Sequence, residues 1–284
     1  MDPHRKKIYG AAGASIIAAA VTARYVAKWR RRRLLRHASE ERLVGGGQCF
    51  IGVDLADPTV EDPRPVDIAV LDLDLKCTFS SWIYREDGAG IIPDIALGRS
   101  FIMAIDGPQG LAGDKQAKAR ESERIVNAPG KCAYELPSEG SPYAGLISGS
   151  VALFYRLISS GSRFRLLGLD SNVQGEPNLM EVYPGGVWRT LTQTQLSSKR
   201  TSSGRQQRSG ILRSLGLDIP QELTPSADQL DAALCAWIGY QFYVGAADAE
   251  GLPPSLDEEY GVIREGFVVR PSTDKIPIDI VAPV

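Results

Sequence analysis

A mixed α/β domain is the fold class that this sequence predicts, on three observations. Apolar runs of strand length open the body of the chain and recur to its end. Longer apolar runs of helix length are interleaved with them, and Gly- and Pro-rich turns separate the two kinds. Strands, then helices, then strand and a late helix suit a sheet covered by helices.

In chain order, residues 48–55 (QCFIGVDL) predict a first strand, followed by a turn rich in Pro and Asp at 57–65. Residues 66–75 and 76–84 predict two further strands, which would complete a three-stranded meander. After a loop at 87–90, residues 93–97 suggest a short helix and 100–105 a buried strand. Residues 112–126 are charged and helix-prone, whereas 127–142 are rich in Gly and Pro and predict a loop. Residues 146–160 predict an apolar helix, and 164–169 and 179–183 strands. The polar stretch 197–210 predicts a loop or helix start, and 209–217 a helix. Ser226 is a plausible N-cap for a helix over 227–244. Residues 261–270 would add a last strand or edge. The chain has no internal repeat.

Composition narrows the chemistry. With 284 residues, 43% hydrophobic and 23% charged, the chain matches an ordinary folded protein. Residues 1–45 carry 11 Lys and Arg against 3 Asp and Glu, a net +8, which leaves the rest of the chain at −10. The body is therefore not a generally basic binder of polyanions, and any such contact must be local. Cys49, Cys77, Cys132 and Cys235 are scattered without a CxxC pair, and the only histidines are His4 and His37. A zinc site and His-dependent nucleophilic catalysis therefore lack their residues. Neither a GxxxxGK[ST] loop nor a well-placed GxGxxG occurs.

The sequence divides into an arm at 1–47 and a body at 48–284, with Gly45-Gly46-Gly47 at the join. Residues 8–23 form an apolar run of sixteen, short of the ~20 that a spanning helix needs. Counting on to Trp29 reaches that length only if Arg24 and Lys28 snorkel. Three readings stay open: a weak membrane anchor, a basic arm that is disordered or helical at a surface, and a cleaved segment ending near Val21-Thr22-Ala23. The positive charge after the run would keep the body on the cytoplasmic side. The expected location is the cytoplasm, with or without membrane attachment through residues 8–29.

The chemistry lies in acids at the ends of apolar segments: Asp54 in CFIGVDLA, Asp106 in FIMAIDGP, Glu181 in NLMEVYP, and Asp228 and Asp231 in ADQLDAALCAW. Each has a local use as well. Asp54 and Asp106 suit turns, and Asp228 and Asp231 sit in a first helical turn where the dipole favours acids. Spaced i, i+3, the last two share one helix face. Acids that converge on one sheet edge repel unless a divalent cation or a shared proton neutralises them. Residues 182–217 contain no acid but carry Arg189, Lys199, Arg200, Arg205, Arg208 and Arg213. That stretch is either a solvated loop or a phosphate-holding surface beside the acids.

Seven short pieces, in order, resemble the family of domain of unknown function 429, predicted nucleases of the ribonuclease H-like superfamily. They are Gly52-Val53-Asp54-Leu55-Ala56, Ile105-Asp106-Gly107-Pro108, RESER at 120–124, Glu181-Val182-Tyr183-Pro184, Lys199-Arg200 with GRQQR at 204–208, DAALCAW at 231–237 and GFVVRP at 266–271. The chain has Asp-Gly-Pro at 106–108 where that family more often has Asp-Ala-Pro. The resemblance implies a ribonuclease H-like mixed sheet with flanking helices, preceded here by the basic arm. It also implies acids at the ends of the first and fourth strands and a further acid from the last helix.

On that resemblance Asp54, Asp106 and Asp231 form the metal set for Mg²⁺ or Mn²⁺, with Asp228 as a nearby substitute. Glu181 joins the catalytic group as an auxiliary acid. Lys199, Arg200, Arg205 and Arg208, with Arg120 and Glu123, form the substrate-binding set. The expected activity is metal-dependent phosphodiester hydrolysis of DNA or RNA. Two alternatives stand beside it: a nucleotide-binding phosphotransferase of the same superfold, and a non-catalytic scaffold tethered at a membrane surface by the arm.

Overall fold

The computed structural model describes residues 47–159, 163–170, 175–192 and 195–274. The three readings of the arm concern residues outside this set. Among the described residues no helix is long and apolar enough to cross a membrane.

Seven strands form one mixed sheet: β1 (Cys49–Asp54), β2 (Val66–Leu71), β3 (Cys77–Trp82), β4 (Phe101–Asp106), β5 (Leu179–Val182), β6 (Ala247–Asp257) and β7 (Val262–Pro271). Their order across the sheet is β3-β2-β1-β4-β5-β7-β6. β1, β4, β5 and β7 run parallel, whereas β2, β3 and β6 pair antiparallel with their neighbours. The helices are α1 (Glu121–Ile125), α2 (Ala144–Ser159), α3 (Pro184–Leu191), α4 (Ser202–Ser214) and α5 (Ala227–Tyr243).

The central strands are continuous apolar runs because both of their faces are covered. Side-chain alternation sorts them into two cores. Phe50, Ala69, Leu71, Ile102, Ala104, Met180 and Val182 face α3, α4 and α5. Ile51, Val53, Ile68, Met103, Ile105 and Leu179 face Leu153, Phe154 and Leu157 of α2.

The opening meander, the strand before Asp106, the apolar helix α2 and the Ser226-capped helix α5 all form close to their expected bounds. Five elements differ, one of them α3 (Pro184–Leu191), a helix that no sequence signal had marked. The helix-prone stretch 112–126 is helical only over Glu121–Ile125. Residues 164–169 make a single bridge, Leu166 to Leu179, and no strand. The segment 261–270 forms the last strand of the chain, β7, as expected, but it is not an edge, since β6 pairs beyond it. β6 contains Pro253 and Pro254, which ordinarily speak against a strand. Both fall where the β6–β7 register shifts between Leu252 and Ser255, so the ladder gives up hydrogen bonds only at that irregularity.

Candidate metal centre

The sheet itself aligns the acids. In the parallel β1–β4 ladder Asp54 registers with Asp106, and in the antiparallel β1–β2 ladder Asp54 registers with Asp67. Three carboxyls therefore stand abreast on the face covered by α5. The chain leaves β1 toward β2 on one side and β4 toward β5 on the other. Such a divergence beyond the carboxyl ends of parallel strands marks the usual position of a ligand crevice in sheets of this kind.

Helix α5 brings two more acids because Gly52 lets it approach. A Cβ at Gly52 would lie 1.9 Å from the carbonyl oxygen of Ala232 and 2.4 Å from the nitrogen of Ala236. Only glycine allows this contact between helix and strand backbones. The helix start is fixed by a capping box in which Gln229 N–H donates to Ser226 Oγ and Ser226 N–H donates to Gln229 Oε1. Ser226 Oγ also donates to Asp67 Oδ2 at 3.2 Å, tying α5 to β2.

One carboxylate oxygen from each of Asp54, Asp228 and Asp231 lies within 4.8 Å of the other two. Asp54 and Asp231 are buried, and Asp228 is half-buried. Trp188 Nε1 donates to Asp231 Oδ1 at 2.6 Å, and Lys199 Nζ donates to Asp231 Oδ2 at 2.6 Å. The same ammonium is 3.5 Å from Asp228 Oδ1, and the exposed Arg64 reaches Asp228 Oδ2 at 2.5 Å. Asp106 joins the group through a hydrogen bond with Asp54.

Crowding of like charges in a buried place shows in the proton affinities. Burial pushes the Asp54 carboxyl well above the usual carboxylate range; Asp106, Asp231 and Asp228 add to the effect, and Lys199 opposes it. Burial, and then the charge of Asp231, push Asp106 up to about 7, against the bond from Asp54 and the charge of Lys199. Burial would lower Lys199, but the charge and hydrogen bond of Asp231 outweigh it and raise the ammonium above its ordinary value. A carboxylate-only donor set at this spacing could hold a metal ion.

The other expected site residues divide. Lys199 is at the cluster. Arg208 is buried behind it: its guanidinium donates to the carbonyl oxygens of Ser197 and Gly204, both at 2.9 Å, and lies over the Trp188 ring. It thus braces the indole that holds Asp231. Arg205 donates to the carbonyl of Arg200, and Arg200 is exposed. A Cβ at Gly204 would meet the Ser198 carbonyl at 2.0 Å, so α4 presses directly on the segment that carries Lys199.

Glu181, Arg120 and Glu123 form a separate network. β5 registers Val182 with Asp106 and Glu181 with Ile105, so Glu181 leaves the sheet on the face opposite Asp106. Both of its oxygens accept from Arg120, each at 2.7 Å, and Oε2 also accepts from the Gln109 backbone N–H. Arg120 has no solvent exposure and also donates to Glu123, which accepts the Cys132 N–H. Arg120 therefore has no surface to offer a substrate.

Sequence reasoning did not single out Trp188, Arg64 or Asp67. Asp67 becomes visible only once the β1–β2 register is known. Trp188 sits in the acid-free basic stretch, and a buried indole N–H there implied an acceptor. Arg64 carried no signal beyond its charge.

Residues 90–256 match a protein-family model described as "Protein of unknown function (DUF429)". The chain belongs to this family. No curated protein and no solved structure matches it. The DUF429 stretch contains Asp106, Trp188, Lys199, Asp228 and Asp231, while Asp54 on β1 precedes it.

Proposed function

We propose that this DUF429 protein is a divalent-metal-dependent nuclease. The observation that carries the reading is the 4.8 Å grouping of carboxylate oxygens from Asp54, at the carboxyl end of β1, and from Asp228 and Asp231, at the start of α5. The order β3-β2-β1-β4-β5, with only β2 antiparallel to both its neighbours, supports a ribonuclease H-like core to which β7 and β6 are added.

Asp54, Asp228 and Asp231 would hold Mg²⁺ or Mn²⁺, which would supply Lewis acidity toward a phosphoryl oxygen and a more acidic bound water. Trp188 fixes the Asp231 carboxylate in one orientation through its 2.6 Å bond. Asp106, raised to about 7, can take or release a proton near neutral pH beside Asp54. Lys199 and Arg64, whose side chains keep 44% and 65% of their surface exposed, are placed to meet a polyanionic backbone at the crevice. In this reading residues 48–284 are the catalytic body, and the basic arm adds affinity for a polyanion or an anionic membrane surface.

The test is cleavage of single-stranded, duplex and branched DNA and RNA with Mg²⁺ or Mn²⁺. The expected result is metal-dependent cleavage that Asp54→Asn lowers by about 100-fold or more. Full activity in Asp54→Asn, or no cleavage of any of these substrates, would sink the assignment.

A further inference from the structure

We infer that Lys199 is the resident cation of the carboxylate cluster, and that a divalent metal must displace it to bind. The inference rests on the metal reading above and concerns what stands in the site before the metal arrives. Lys199 Nζ lies 2.6 Å from Asp231 Oδ2 and 3.5 Å from Asp228 Oδ1, so one ammonium bridges two of the three acids that would ligate the ion. The other oxygen of Asp231 is taken by Trp188, and the other oxygen of Asp228 by Arg64. Oδ2 of Asp231 and Oδ1 of Asp228 are thus the oxygens left for a metal, and they are the two that Lys199 covers.

An ammonium and a divalent cation drawn to the same oxygens repel each other, and in a partly buried place that repulsion is poorly screened. Lys199 is built to move. Its side chain is 44% exposed, against 6% for its partner Asp231, and its stem is flexible. Its backbone is held in place by α4, since Gly204 packs on the Ser198 carbonyl and Thr201 caps the helix by accepting from Gly204 N–H. The tether stays fixed while the charged end can swing. On displacement the ammonium remains within a side-chain length of the crevice, where a phosphate oxygen can replace the carboxylate it has lost. Arriving metal would thereby turn a structural cation into a substrate-holding one.

Manganese binding to the full chain, followed by isothermal titration in wild type, Lys199→Met and Lys199→Arg, tests this. Lys199→Met should bind Mn²⁺ at least about tenfold more tightly than wild type, because the competing charge is gone. Lys199→Arg should stay close to wild type. The metal-free Lys199→Met protein should also melt at a lower temperature and gain more from saturating Mn²⁺ than wild type does. Lys199→Gln repeats the test should the Met variant fold poorly. Unchanged or weaker Mn²⁺ affinity in the neutral variants, with wild type binding normally, would overturn the inference and leave the metal reading intact. Absence of binding in every protein would remove both.

Discussion

Glu181 and Asp106 lie one residue out of step on neighbouring parallel strands, and that single step sends their carboxylates to opposite faces of the sheet. Asp106 meets the acids of β1 and α5, whereas Glu181 meets the buried guanidinium of Arg120.

The two acids should therefore fail differently. Removing Arg120 strands Glu181 and Glu123 without their counter-charge, and losing one partner of a buried pair costs about 3–5 kcal/mol. Arg120→Met should lower the unfolding free energy by about that amount in urea titrations. Among molecules still folded, Mn²⁺ affinity should stay within about threefold of wild type. A large loss of affinity with stability preserved would contradict this division of roles.

The contact at Gly52 should tolerate no side chain. Gly52→Ala places a methyl against the Ala232 carbonyl and the Ala236 nitrogen, both backbone atoms that no rotamer change can move. Overpacking of this kind costs about 1–3 kcal/mol or more. Since relief requires α5 to shift away from β1, metal affinity should fall together with the melting temperature. Gly98, which has open space around it, is the control: Gly98→Ala strains a positive φ but should leave metal affinity unchanged.

The raised proton affinity of Asp106 fixes the sign of a pH effect. In the fold this carboxyl keeps its proton up to about pH 7, whereas an unfolded aspartate releases it near pH 4. Between those values the folded state binds more protons, so stability falls as pH rises through that window. Melting temperatures measured in chelator at pH 5 and pH 8 should show this fall in wild type. Asp106→Asn should reduce the fall by at least about 3 °C. An equal fall in both proteins would show that Asp106 does not carry the effect.

Much of this was legible in the sequence because strand and helix ends carry their own signals. Asp54 and Asp106 close continuous apolar runs, and Ser226 precedes a long apolar helix with Gln229 in the capping-box position. What the sequence could not supply was phase. Glu181 ends an apolar run much as Asp106 does, and only the β4–β5 register separates the face of one from the face of the other. For the same reason Asp67, a polar residue near a strand start, gave no sign of standing beside Asp54. Arg120 and Arg208 look like free basic residues in a linear reading, yet both are spent inside the fold on carboxylates, carbonyls and an indole. Strand β6 was hidden by its two prolines, whose tolerance depends on an irregular ladder that only the pairing reveals.

The proposed metal centre requires that Asp54, Asp228 and Asp231 act together as ligands. Isothermal titration of Mn²⁺ into the full chain at pH 7.5, repeated on Asp54→Asn and Asp231→Asn, measures it. Wild type should bind saturably, and each variant should bind at least about tenfold, 1.4 kcal/mol or more, more weakly. No saturable binding in wild type, or equal affinity in all three proteins, would contradict it.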